Sequence, residues 1–462
     1  MRRIVICGFL AVLGCGRGPN AKTPATDALE KRLPLTVREA TLSNGLKVVL
    51  QEDHDAPSIA LRLIYRVGSG ADPKGRSGFA HLFEHVMFEG SKHVARGEFE
   101  SRMAEMGASY NAETGLDFTA YHETFPKNRL DTVLWLESDR MGFLLERLDQ
   151  KMLDEVRGVV KSEYRERMES KPYAAVDPAI EAALFPGDHP YHHWPAGSLP
   201  ELDAASLSDV RSFFLRWYAP NNATLVLVGD FDANVALARV KHWFSAIPAG
   251  PPPPVIPKMP PPRLSADLRL GFEAGIELPR VSFAWAVPAF GEPGDVALDS
   301  AANILYSRAF TVLTKDNELA HSVSVRHRPG RFGGVFVLSA LLLRDAKVEK
   351  AITAMDSAID DVSRWARWTM DETRVKESLY GEFAGEVFDF DGPSQRAASL
   401  AFYDLMIGKP QGLADRLRAF ERLDSDDVVD AYRTWVLRSH RVIAVVKPTD
   451  GAPVAGRLVD GP

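Results

Sequence analysis

Residues 249–263 read AGPPPPVIPKMPPPR, and no regular element can run through them. Proline lacks the backbone N–H and fixes φ near about −65°, so the stretch can neither continue a helix nor lie inside a sheet. It reads as a stiff, extended linker that cuts the 462-residue chain almost in half. A chain of this length exceeds the size at which one hydrophobic core keeps growing, so a domain is expected on each side. The two halves also begin alike. LKVVLQEDHDAPSIALRLIYRVGSGADPKGRSGFAHLFEHVMF and LRLGFEAGIELPRVSFAWAVPAFGEPGDVALDSAANILYS share the order strand, turn, strand, loop, helix. Late in each half, ATLVLVGDFD is echoed by RVIAVVKPTD. The repeat predicts duplication of one α+β unit, each copy a mixed β-sheet with helices packed on one face.

The first residues, MRRIVICGFLAVLGC, pair Arg2 and Arg3 with an apolar segment over residues 4–13 that is too short to span a bilayer. They read as an export signal. VLGC is similar to a bacterial lipobox, with Val12 where leucine is usual, and makes Cys15 the expected lipidation site. The expected location is therefore the periplasm or, through that lipid, the outer membrane of a bacterium. The expected divisions are a signal at 1–15, a polar tether at 16–35, a first domain at 36–248, the linker, a second domain at 264–448 and a tail at 449–462. Both cysteines, Cys7 and Cys15, fall in the signal, so the folded body has no disulfide, no thiolate ligand and no cysteine nucleophile. Any metal there must be held by imidazole and carboxylate. A net charge of −7 leaves no basic footprint for nucleic acid.

GFAHLFEHVMFEG, residues 78–90, places His81, Glu84 and His85 in an otherwise apolar stretch. Residues four apart share one face of a helix, so both imidazoles can reach one cation, with Glu84 beside them. Two neutral imidazoles suit zinc, and a carboxylate next to a ligand can take a proton from an attacking water. The order H-x-x-E-H is the reverse of the common zinc-protease motif. A plain core helix with Phe79, Leu82, Phe83, Val86, Met87 and Phe88 is the simpler alternative, but burying an unpartnered carboxylate costs several kcal/mol. A catalytic zinc wants a third protein ligand. The charged helix expected over residues 153–170, with apolar Leu153, Val156, Val159 and Val160, offers Glu155, Glu163 and Glu166, and spacing alone does not choose among them.

GFAHLFEHVMFEG, GASYNAETGLDFTAYHET, RGVVKSE and the segment from HPYHHW to VLVGDFD follow in order the pattern of the pitrilysin family, which includes insulin-degrading enzyme and the mitochondrial processing peptidase. The resemblance covers about residues 36–448. It implies the mitochondrial-processing-peptidase-like metallohydrolase fold, one Zn2+ per chain on His81, His85 and Glu163, and Glu84 as the general base of a zinc endopeptidase. It further implies that SYNAET is an edge strand on which Ser109, Tyr110, Asn111 and Ala112 receive an extended peptide by β-addition. HPYHHW, with His189, His192 and His193, corresponds to a family loop that binds no metal.

Two departures shape the expectation. The family places a supporting glutamate seven residues before the ligand glutamate, where this chain has Val156; Glu155 is adjacent but about 100° away around a helix. Active members also carry an Arg and a Tyr in the second half, where LTKDNELAHSVSV has Thr314 and His321. In two-subunit members one half-length chain carries zinc and a sister chain carries that Arg and Tyr, closing on an unfolded peptide like a clamshell. The resemblance thus implies a zinc-bearing subunit partnered by a homologous sister or, failing that, by a second copy of itself. The alternative it carries is a catalytically silent scaffold of the same fold.

Overall fold

The computed structural model describes residues 36–365, 385 and 390–461. The export signal, Cys15 and most of the tether lie outside these residues. Among the described residues, no helix is long and apolar enough to cross a membrane.

The first half builds a six-stranded sheet from β1 (Arg38–Thr41), β2 (Lys47–Glu52), β3 (Ser58–Tyr65), β4 (Ser109–Thr114), β5 (Thr119–Pro126) and β6 (Ala223–Gly229). The second builds another from β7 (Leu268–Ala274), β8 (Arg280–Val287), β9 (Ala320–Pro329), β10 (Gly334–Leu342), β11 (Val442–Pro448) and β12 (Arg457–Asp460). Their spatial orders, β1-β2-β6-β3-β5-β4 and β12-β7-β11-β8-β10-β9, correspond strand for strand. Each has one parallel pair, β2 with β6 and β7 with β11, among antiparallel neighbours. The expected duplication is therefore present in the topology. One refinement is β12, which extends the second sheet into residues read as a tail.

The helices that matter here are α1 (Phe79–Val86), α2 (Leu130–Phe143), α3 (Gln150–Tyr164), α4 (Val176–Leu184), α5 (Leu207–Trp217), α6 (Ala233–Phe244), α7 (Asp295–Phe310), α8 (Val348–Trp365) and α9 (Pro393–Ile407). Residues alternate faces along a strand. Ile59, Leu61 and Leu63 of β3 and Leu225 and Leu227 of β6 face the main core, against α1, α2, α3, α5 and α6. The equivalent core of the second half gathers α7 and α8 on Phe283, Trp285, Phe336 and Leu338.

Each half packs its main helical layer on one face of its sheet, and the opposite face is covered by a helix from the other half. Ala397, Leu400, Ala401 and Leu405 of α9, from the second half, pack on Val49, Ala60, Ile64, Val226 and Val228 of the first sheet. In exchange, Val176, Ile180 and Leu184 of α4 pack on Leu270, Phe272, Ala284 and Ala286 of the second. The physical reason is in the strands: β3 and β6 are nearly continuous apolar runs, the pattern of strands buried on both faces. Asp404 of α9 fixes the crossing, taking hydrogen bonds from Lys47 at 2.6 Å, Arg66 at 2.6 Å and the Thr224 hydroxyl at 2.7 Å. Truncating Leu400, which is fully enclosed, to alanine is expected to cost about 3 kcal/mol of stability in urea unfolding. A change near zero would mean that α9 is not part of the first sheet's packing.

Candidate metal centre

The loop before α1 prepares the helix that carries the motif. Asp72 accepts hydrogen bonds from the amides of Gly78 at 2.6 Å and Ala80 at 2.9 Å, supplying acceptors that the first turn lacks. Gly78 has φ 91°, a left-handed turn suited to glycine. From below, the Tyr121 hydroxyl donates to the Phe83 carbonyl at 3.0 Å. Arg140 stacks on the Tyr121 ring at 4.2 Å and hydrogen-bonds Glu137 at 2.9 Å and Glu123 at 3.2 Å, all three side chains being buried. Burial, and then Glu137, push the Glu123 carboxyl well above its ordinary pKa. Arg140 between the two carboxyls offsets part of the cost of burying them.

The third expected ligand is brought in by α3, started by Asp149, whose carboxylate accepts from the Met152 amide at 2.8 Å. Leu153, Val156 and Val160 bury one face of α3, and Glu163, two turns after Val156, continues that face toward α1. Val159 is off the face and half exposed. The result is a triangle of donor atoms. His81 Nε2 lies 3.4 Å from His85 Nε2, and Glu163 Oε2 lies 2.9 Å from His85 Nε2 and 3.6 Å from His81 Nε2. Ligands about 2.0–2.1 Å from a tetrahedral zinc stand about 3.3 Å apart, so the three fit one ion with a position left open. Glu84 has a carboxylate oxygen within 4.8 Å of both imidazoles.

The electrostatics favour the metal-ready forms. Burial, and then the neighbouring His81, lower the pKa of His85, so its imidazole is neutral at pH 7. The His81 imidazole, together with His85 and Arg167, holds the Glu163 carboxyl down at about 2. Arg167, one turn on, contacts the other carboxylate oxygen, Glu163 Oε1, at 2.6 Å. It thereby fixes which oxygen faces the imidazoles. Replacing Arg167 by alanine is expected to weaken zinc binding about tenfold in a chelator competition, the usual scale for a group that orients a ligand. An unchanged affinity would reduce this contact to a surface ion pair.

Seven residues before Glu163, where the supporting glutamate of the family would stand, α3 presents Val156. Val156 is enclosed in the core, Glu155 turns away to pair with Arg96, and His81 Nδ1 is buried without a hydrogen-bond partner. Strand β4 is the outer strand of its sheet, with Ser109, Tyr110 and Asn111 exposed and Ala112 nearly buried. Beside it a cavity of about 540 Å³ runs from His81, Glu84 and Glu163 past Ala112 and Thr114 to Tyr173 and Arg280. Thr314 and His321 are not in its wall. The Thr314 hydroxyl donates to the Phe310 carbonyl at 2.6 Å within its own helix.

The remaining histidines do not assemble a second site of this kind among the described residues. His189, His192 and His193 point to the separate carbonyls of Phe332, Phe185 and Ser69. His327 meets Asp299 at 2.7 Å near Asp295, and the sequence signal for it was the spacing of the two aspartates on α7. Arg416 already sits on both carboxylates, so a cation there would face a guanidinium. A larger cavity, about 740 Å³, lies in the second half between Phe290, Tyr403 and Trp435, and no histidine lines it.

Fold and donor set together define a duplicated α+β chain of the metallopeptidase class. The model for "Insulinase (Peptidase family M16)" matches residues 47–191 and that for "Peptidase M16 inactive domain" matches residues 204–372, and the chain belongs to peptidase family M16. It is 26% identical over 417 residues to the zinc protease PqqE of Helicobacter pylori, covering 88% of this chain and 92% of that one. A solved protease from Helicobacter pylori superposes with a TM-score of 0.82 at 25% identity, covering 90% of this chain and all of that one. The first half of the periplasmic protease PqqL from Escherichia coli gives 0.74 at 16% identity, covering 92% and 93%. Pitrilysin gives 0.74 at 18% identity, with 92% of this chain on 46% of that one. The chain thus spans about half the length of pitrilysin and nearly all of the Helicobacter pylori relative.

Proposed function

We propose that this chain is the zinc-bearing subunit of an endopeptidase that cleaves unfolded peptides. The observation that carries the reading is the triangle of His81, His85 and Glu163 with Glu84 at its side. These three residues would hold one Zn2+ per chain, which when bound supplies a Lewis acid that polarises the scissile carbonyl and acidifies water. The free edge of β4, at Ser109, Tyr110, Asn111 and Ala112, would align the peptide backbone as an added strand. Glu84 takes the proton of the attacking water and returns it to the leaving amine.

A homologous sister chain would complete the site with an Arg and a Tyr, because Thr314 is committed to its own helix and His321 is outside the cavity wall. A homodimer is the other arrangement. Export through residues 1–15, with Cys15 as a lipid anchor, is part of the reading, and the relative PqqL is described as periplasmic. The competing reading is a silent scaffold, favoured by the unsupported His81 Nδ1 and by Thr314 and His321 standing in place of the Arg and Tyr. The test is hydrolysis of a quenched fluorescent peptide mixture by the zinc-loaded protein lacking residues 1–15, alone and with a sister chain bearing the Arg and Tyr. Activity only with the sister supports the split site, and activity alone means a self-sufficient enzyme. No activity in either condition, despite bound zinc, means a scaffold.

A further inference from the structure

The far end of the metal-side cavity has more positive charge than its own residues balance. Of the charged residues that line the cavity, Arg167 is engaged by Glu163 at the metal centre and Glu113 by Arg62, which leaves Lys171 and Arg280 with Asp177. Asp177 is shared between Arg280 at 3.4 Å and Arg326 at 3.6 Å, both longer than the about 2.7–2.9 Å of a well-made charged hydrogen bond. The other polar contact of Arg280, to the Ser339 hydroxyl, is 3.5 Å. Lys171 is exposed and has no ion-pair partner among the described residues.

Arg280 is held in place nonetheless. Its side chain is 17% exposed, and its guanidinium lies over the Tyr173 ring at 5.6 Å. Tyr173 has φ 63°, a left-handed conformation that is costly for a bulky residue, and its hydroxyl donates to the Leu278 carbonyl at 2.8 Å. A half-buried guanidinium whose carboxylate partner, Asp177, is distant and shared with Arg326, beside an exposed ammonium and opening on the groove, can accept a further anion.

We propose that this end of the cavity is an anion subsite in which Arg280 and Lys171 receive a carboxylate of the bound peptide, either an acidic side chain near the scissile bond or the C-terminal carboxylate. The proposal rests on the reading of the metal centre as peptide-binding and adds a substrate preference to it. Arg280 supplies two parallel donors matched to a carboxylate, and Lys171 a mobile point charge at the mouth. Tyr164, Tyr173 and Trp194 line the same space and suit the apolar part of the residue.

The experiment offers neutral peptides carrying a single Glu or Gln scanned along the sequence, each with a free or an amidated C-terminus. kcat/KM is read on the zinc-loaded protein, with the sister chain where hydrolysis requires it, and Kd by fluorescence polarisation on zinc-loaded Glu84→Gln protein. One Glu position, or the free terminus, is expected to be favoured about tenfold in both readouts, the scale of one hydrogen bond to a charged group. The preference should vanish or reverse in Lys171→Glu, an exposed change that leaves the core untouched, and weaken in Arg280→Gln. Cleavage without a charge preference, or a preference that survives in both variants, overturns the subsite and leaves the peptidase reading standing. Absence of binding and cleavage for every peptide overturns both.

Discussion

Glu84→Gln lowers kcat/KM for peptide hydrolysis by about 10²–10⁴-fold, the usual contribution of a positioned general base, and leaves the zinc content per chain unchanged. The amide keeps the size of the carboxylate but cannot take a proton. Zinc should stay because the three closest donor atoms come from His81, His85 and Glu163, not from Glu84. The two quantities have to be measured on the same preparation, activity with quenched fluorescent peptides and zinc by elemental analysis. A Glu84 oxygen lies within 4.8 Å of both imidazoles, so its role as a ligand is a concrete competitor. If the variant loses zinc together with activity, Glu84 is a ligand. If it keeps both, the base lies elsewhere.

Much of this arrangement is written locally. The proline run marks the boundary because proline excludes regular structure whatever surrounds it, and the four-residue spacing of His81 and His85 puts both on one face of any helix. The choice of Glu163 over Glu155 and Glu166 needed the structure, because Val159 is as apolar as its neighbours and only its exposure removes it from the buried face. Leu153, Val156 and Val160 define the buried face of α3, and Glu163 continues it, whereas Glu155 falls to one side and Glu166 lies beyond the end of the helix. What could not be read depends on tertiary placement. Doubly apolar strands announce that both faces are covered, yet not that α4 and α9 change places between the halves. Arg167 looks like one more charge on a solvated helix until Glu163 is seen to face the imidazoles. Tyr173 and Arg280 are a hundred residues apart in sequence, and only their stacking makes them one wall.

His81→Ala removes the more deeply buried of the two imidazoles and is expected to lower zinc affinity at least about a hundredfold. Zinc held by four ligands in small domains is worth about 10–16 kcal/mol, so each ligand carries about 2.5–4 kcal/mol. Chelator competition reads this directly, and hydrolysis should fall with the zinc. The same change has an acid signature in the metal-free protein. The Glu163 pKa is depressed to about 2 with His81 as its first cause, so the ionised carboxylate stabilises the folded chain above its ordinary pKa near 4.5. That contribution disappears as the pH falls from about 4.5 toward 2. Without His81 the first of the causes is removed while His85 and Arg167 remain, and the metal-free variant should show a flatter stability profile between those pH values than the metal-free wild type. A variant that lost zinc while keeping the wild-type acid profile would leave His81 as a ligand but detach it from Glu163. Unchanged zinc stoichiometry would move the metal to other side chains altogether, because a site with only His85 and Glu163 lacks the third ligand that a catalytic zinc needs.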